Sequence, residues 1–221
     1  MTAPVTTIVV VGAGGLGREV AVYVRDAIAA GTLRADLRGF LDDTDADPAA
    51  LGVDVPVLGP IDAYRPLPGD GVVIAVGDPA ARRALADRLA ARGARFVALV
   101  HPLAYVAQAA AVADGAIVAP FATIGTGARL GAHCLINTHA GIGHDAVVGE
   151  CCAVSPHAVI NGGARLGQGV MIGSGAVVVP RLKIGDGAQV AAGAVVLSDV
   201  AAGVMVWGNP ARPMPRVPSS G

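Results

Sequence analysis

The chain reads as two folds in series: a small Rossmann-like α/β unit over residues 1–100, then an all-β parallel β-helix of hexapeptide repeats within residues 101–221. Three observations predict this. Sixteen aliphatic residues recur at every sixth position from Val106 to Val196 without a slip. The apolar run Ile8–Val11 leads directly into Gly12-Ala-Gly-Gly-Leu-Gly17. Between these two features lie further short apolar runs and one helical stretch.

Taken in order, Ile8–Val11 is a buried strand and a helical pattern follows from about Leu16 to Ala30, ending near Gly31. Glycines 12, 14 and 17 satisfy G-x-G-x-x-G between a strand and a helix, where bare amides and the helix N-terminus can hold a phosphate. The same glycines can also serve only to pack helix on strand. Gly39–Asp43 is expected to be a second strand ending in Asp42 and Asp43, the edge where acids hydrogen-bond a ribose or base. Val72–Gly77 reads as another strand, Pro79–Arg92 as a helix and Phe96–Val100 as a further strand. So short a sheet favours a mononucleotide-sized ligand over NAD. His101-Pro102 marks the junction.

Neither the two-residue period of a strand nor the 3.6-residue period of a helix yields a strict six. Hexads do fit a β-helix, in which each repeat stacks on its neighbours to bury one continuous core. Two residues before each aliphatic position sits a mostly small one, such as Ala110, Ala128 or Cys152, with Val170 and Leu182 the larger exceptions. A glycine-rich column follows the aliphatic position: Gly125, Gly131, Gly143, Gly149, Gly167, Gly173 and Gly185. These glycines are expected to supply positive-φ bends. At three hexads per turn the coils span about 106–201, giving about five coils and a prism ~25 Å long. After Ala202 the phase is lost. Pro210, Pro213, Pro215 and Pro218 are expected to prevent regular structure in the tail 202–221, with its last residues disordered.

Composition narrows the function. Hydrophobic residues make up 53% and charged ones 15%, an excess that follows from two core positions in every six. No apolar run approaches the ~20 residues of a membrane span. A net charge of −1 argues against nucleic acid or an anionic membrane as partner. No basic segment precedes Ile8, so no signal peptide is evident. Cys134 and Cys152 fall in the small-residue column with Cys151 beside them, so a reduced cytoplasmic setting is expected.

Among the five histidines, His139 and His144 sit off the core phase in adjacent repeats, on the outside of the prism. His144 is followed by Asp145, a carboxylate that can fix its tautomer and raise its basicity. An imidazole so placed is either a general base for an amine or hydroxyl, or an incidental surface group.

The hexad array, Gly12–Gly17, Phe40-Leu-Asp-Asp43, Ile74-Ala-Val-Gly77, Val100-His-Pro102, Asn137-Thr-His-Ala-Gly-Ile-Gly-His-Asp145 and Gly208-Asn-Pro-Ala-Arg212 together carry a specific likeness. The chain resembles the sugar acyltransferases of the sialic-acid O-acetyltransferase type, which include the nucleotide-amino-sugar N-acetyltransferases of the bacillosamine and perosamine pathways. The resemblance runs from Ile8 to Pro213. It implies a left-handed β-helix, a homotrimer, and acyl transfer from acetyl-CoA to a nucleotide-sugar in polysaccharide biosynthesis. By motif it implies His144 as catalytic base with Asp145 as its acidic neighbour. It likewise implies a nucleotide-sugar pocket of Gly14, Gly15, Leu16, Asp42, Asp43 and Gly77, and acetyl-CoA contacts at Ala153, Gly162, Ser174 and Ala192. The family often carries His where this chain has Leu16 and Ala153. No metal site is implied. His139-x4-His144 also resembles the paired ligands of γ-type carbonic anhydrases, but positions 36 residues back are Leu103 and Gln108, neither a third histidine. A trimeric binding protein without catalysis is the remaining alternative.

Overall fold

The computed structural model describes residues 4–214. Strand β1 (Thr7–Val11) is the centre of a three-stranded parallel sheet, flanked by β2 (Asp36–Leu41) and β3 (Asp70–Ile74). Ile8 to Val11 are wholly buried because helix α1 (Gly15–Ala29) covers one face and α2 (Pro79–Ala90) the other. An uninterrupted apolar run is what a parallel strand sandwiched between helices requires. Asp78 caps α2 by accepting the Ala81 amide at 2.7 Å, with Pro79 in its first turn. The expected strand at Phe96–Val100 divides instead. Phe96 makes a single bridge to Val72, whereas β4 (Leu99–Val100) pairs with Ile117–Val118 in the second part of the chain.

That second part is a left-handed parallel β-helix of about six turns. Its sixteen two-residue strands, β5 (Tyr105–Val106) to β20 (Val195–Val196), each end on the aliphatic hexad position. From β5 to β17 every strand pairs in parallel with the one eighteen residues on, as Leu135 with Ala153 and Ala153 with Met171. Three walls result, counted in chain order. The first carries Leu99–Val100, Leu135–Ile136, Ala153–Val154 and their equivalents, the second begins with Tyr105–Val106, and the third with Ala111–Val112. Ile124, Ile136, Ile160 and Ile172 are fully enclosed between them, alongside the small column Ala122, Cys134, Cys152 and Ala158. The three cysteines are buried and free.

The positive-φ corners fall one residue ahead of the small column, away from the expected glycines. They run in sixes from Gly115 to Gly193, and seven carry side chains: Phe121, His133, His139, Asp145, Cys151, His157 and Arg181. Gly125, Gly131, Gly143, Gly149, Gly167, Gly173 and Gly185 answer a different need, close approach between coils. A Cβ on Gly173 would stand 2.5 Å from the Ala192 nitrogen, and one on Gly143 2.5 Å from that of Gly162.

Beyond Ala202 the chain is more regular than its prolines suggest. Strand β21 (Met205–Trp207) adds a rung to the first wall, with Val206 buried in the core. Strand β22 (Arg212–Pro213) then returns antiparallel against it. An edge strand tolerates proline because its outward backbone positions have no partner to lose. The expected disorder of the last residues concerns Pro215 to Gly221, which lie outside the described residues.

The outward faces of the three walls differ. On the first, Leu99, Ile117 and Leu135 are buried against the α/β layer, beside Val20, Val24 and Ala27 of α1. The second presents Tyr105, Thr123, Gly141, Val159, Val177 and Val195, almost all apolar and none more than partly covered. The third carries Arg129, Arg165 and Lys183.

Candidate functional site

The loop from β1 into α1 contains glycines of two kinds. Gly12 has φ +97 and lies against the Ala75 carbonyl, and a Cβ on Gly17 would collide with the Gly12 carbonyl, so packing alone demands both. Gly14, Gly15 and Gly77 have open space where a side chain would stand. Gly14 caps α1 with no side-chain cap, and the first turn holds no acid, so its amides are free to meet an anion. Packing and ligand access therefore both apply, at different glycines of one motif.

Asp42 and Asp43 follow β2, where they were expected, yet their oxygens serve the scaffold. Asp42 accepts the Ala13 amide at 2.6 Å, the Thr44 amide at 2.8 Å and the Thr44 hydroxyl at 2.5 Å. Partial burial pushes its pKa up, but these hydrogen bonds outweigh that and hold it below the usual carboxylate range. Asp43 accepts the Ile61 amide at 2.8 Å. Asp42 thus fixes the shape of the glycine loop from behind.

Between this loop and the first wall lies a cavity of about 470 Å³. Gly15, Leu16 and Gly77 form one side, and Leu135, Ala153 and Met171, consecutive rungs of the wall, form the other. Glu19, Asn137 and Ser155 supply polar groups. Leu16 and Ala153, the two positions where histidine was the familiar residue, share this cavity. Its lining there is apolar.

His144 and Asp145 occupy the edge between the second and third walls. The His144 Nδ1 stands 2.9 Å from an Asp145 carboxylate oxygen, and both side chains are about seven-tenths exposed, 70% and 72%. A carboxylate only accepts, so Nδ1 carries the hydrogen and Nε2 keeps its lone pair. The imidazole lies over Gly162 of the next coil, where any Cβ would strike the ring. Asp145 holds φ 58, a conformation that short polar side chains tolerate better than others.

One chain does not bring all of these residues together. In a three-walled prism, the edge bearing His144 lies opposite the first wall, so the imidazole faces away from the cavity. Ser174 and Ala192, one coil apart, sit on the edge between first and second walls, while Gly162 lies beside His144. The same first edge carries Phe121, His139 and His157 as a stack, with ring centroids 4.9 and 4.8 Å apart. His139 and His144 therefore stand on different edges, and no cluster of three potential metal ligands forms among the described residues.

Comparison with known proteins bears on this arrangement. Residues 7–89 match the PglD N-terminal domain, and residues 163–198 match the bacterial transferase hexapeptide model of six repeats. The acetyltransferase domain of PglB from Neisseria gonorrhoeae FA1090 is 31% identical, with a TM-score of 0.83 over 94% of this chain and 99% of that one. The chain belongs to the sugar acyltransferase family. WeeI from Acinetobacter baumannii AYE is 30% identical over 95% of this chain and 100% of its own, with a TM-score of 0.79. PerB from Caulobacter crescentus, solved with CoA and GDP-perosamine, is 28% identical over 97% and 100%, with a TM-score of 0.81. No curated protein matches the chain.

In this acyltransferase, sequence reasoning passed over Arg82. It lies on α2, three residues before Leu85 and seven before Leu89, on the buried face, and is 1% exposed. An arginine in register with two core leucines was the legible signal. It joins the α/β layer to the solenoid, as does the exposed Arg83–Glu150 pair at 2.8 Å.

Proposed function

We propose that this enzyme transfers the acetyl group of acetyl-CoA to an amine or hydroxyl of a nucleotide-activated sugar, with His144 as general base at the boundary between subunits of a homotrimer. The observation that carries the proposal is the separation just described. An ordered His144–Asp145 pair stands on one edge and an open glycine-lined cavity stands behind the opposite wall, so two copies are needed to complete one site. The apolar second wall joins those two edges and is the surface a neighbouring copy would cover. The neighbours add chemistry: the PglB domain was solved with acetyl-CoA, and PerB with CoA and GDP-perosamine.

On this reading residues 1–100 hold the nucleotide-sugar, against Gly14, Gly15, Leu16 and Gly77, within a loop shaped by Asp42, with Asp43 beside it. Residues 101–221 carry the acetyl transfer, with the donor along Ala153, Gly162, Ser174 and Ala192. His144 Nε2 removes a proton from the acceptor as its nitrogen or oxygen attacks the thioester carbonyl. Backbone N–H groups of a neighbouring coil stabilise the oxyanion. Collapse of the tetrahedral intermediate re-forms the carbonyl and expels CoA thiolate, which takes up a proton. Asp145 stabilises the imidazolium that exists between these steps. Buried reduced thiols and an acetyl-CoA donor suit the cytoplasm.

The test is release of CoA thiol from acetyl-CoA across a panel of 4-amino and hydroxyl nucleotide-sugars. Release should depend on one acceptor and fall by at least ~10²-fold in His144→Ala, which should remain a trimer in sedimentation. Wild-type turnover in that variant would remove His144 from the role.

A further inference from the structure

Arg82 is a buried cation that the acetyl-transfer chemistry does not use. All five of its N–H groups meet main-chain carbonyls. Two bonds run from one terminal nitrogen to Val76 and Gly77, at 2.5 and 3.0 Å. Nε donates to His133 at 2.8 Å, and the other terminal nitrogen donates to Cys151 and Cys152 at 2.9 and 3.0 Å. No carboxylate bonds it among the described residues.

The identity of those carbonyls matters. Gly77 lines the α/β side of the cavity, while His133 and Cys152 lie two residues and one residue before Leu135 and Ala153, which line the solenoid side. One rigid, planar group therefore ties together the backbone on both sides of the cavity. A buried guanidinium is an expensive way to glue two layers, since apolar residues of similar volume often do so at no loss of stability. What it adds is geometry: a five-donor fork has one set of acceptor positions that satisfies it, and Lys cannot reproduce them.

We propose that Arg82 is a positioning residue that sets the distance between Gly77 and the Ala153 wall, and thereby the affinity of the cavity for the nucleotide part of the acceptor. The inference rests on the cavity's role proposed above. Of the donor contacts proposed above, Gly162, Ser174 and Ala192 lie on the edges of the coils, away from this fork, and only Ala153 adjoins it.

The experiment measures Kd by calorimetry for UDP, GDP, dTDP and CMP, and separately for CoA. The proteins are wild type, Arg82→Lys, and Arg83→Gln, which removes the exposed inter-layer contacts of Arg83 with Glu150 and Gln168. For the nucleotide that wild type binds, Arg82→Lys should weaken binding at least ~10-fold and leave the CoA Kd within about twofold, and Arg83→Gln should change neither. A nucleotide Kd within about twofold of wild type, or a parallel loss of CoA binding, overturns the proposal. Should Arg82→Lys not fold by circular dichroism, Arg82→Gln is measured at 10 °C. Failure of both to fold assigns Arg82 to stability alone and also overturns it. A wild type that binds none of the four nucleotides refutes the cavity's assigned role itself, an outcome distinct from the others.

Discussion

Asp145→Asn isolates what the acid beside His144 does. Both side chains are about seven-tenths exposed, so their pairing contributes little to stability, at most ~0.5 kcal/mol. Asn is also among the residues most tolerant of φ near 58, so the corner keeps its shape. The change falls on the imidazole. Asp145 can only accept the Nδ1 hydrogen, which leaves Nε2 as the proposed base, whereas an amide can also donate to Nδ1 and trap the opposite tautomer. It also withdraws the negative charge that stabilises the imidazolium. Removing one charge-assisted hydrogen bond, discounted for exposure, gives a loss of ~1.4–2.7 kcal/mol in the transition state, or about 10–100-fold in kcat. Thiol release with the accepted sugar and thermal melts of the same preparations give both numbers. Turnover within twofold of wild type would refute the role of Asp145. A fall matched by a loss of several degrees in Tm would trace the effect to the corner itself.

Two further outcomes concern the scaffold. Gly173→Ala forces a methyl to within 2.5 Å of the Ala192 nitrogen and 2.8 Å of the Ala191 carbonyl carbon, so the coils must part, at a cost of about 1–3 kcal/mol readable as a lower urea midpoint. Asp70 is buried and accepts from Thr7 and Tyr64 at 2.7 Å, Leu67 at 2.9 Å and Arg38 at 2.8 Å. Burial raises its pKa, but these hydrogen bonds and the Arg38 charge prevail and hold it below the usual value. A folded-state pKa below the unfolded one of about 3.9 means Asp70 adds stability above that pH, which is lost as pH falls through the lower folded value. Asp70→Asn should therefore weaken the fold at pH 7 and flatten the decline as pH falls below about 4, measured by urea unfolding at each pH. An unchanged slope would assign the acid sensitivity to other carboxylates.

The solenoid was legible because its constraint is strict. One aliphatic residue must enter the core at every rung, and no wrong phase survives sixteen rungs. Which glycines turn the corners was harder to read, because close approach of coils and positive φ both select for small residues. Where His133, His139, Asp145, Cys151 and His157 occupy successive corners, the glycine signal vanishes from the sequence altogether. Met205–Trp207 was missed since Val206 stands sixteen residues beyond its partner Val190, rather than eighteen, which breaks the phase while the core position is kept. The His144–Asp145 pair is local and could be read directly. The cavity could not, because it forms where Gly15, Leu16 and Gly77 meet Ala153, across more than a hundred residues of chain.

The eighteen-residue register makes the length of this protein a discrete variable. Excising residues 163–180 would return every aliphatic side chain to the interior and shorten the prism by one step of ~4.8 Å. Excising a single residue would rotate everything beyond it out of phase. Positions nearer the C-terminus, such as Ser174 and Ala192, can therefore move relative to His144 only in whole steps. A lineage of such enzymes adapting to a longer or shorter donor has a ruler with one graduation, and fine adjustment is left to the side chains along its edges.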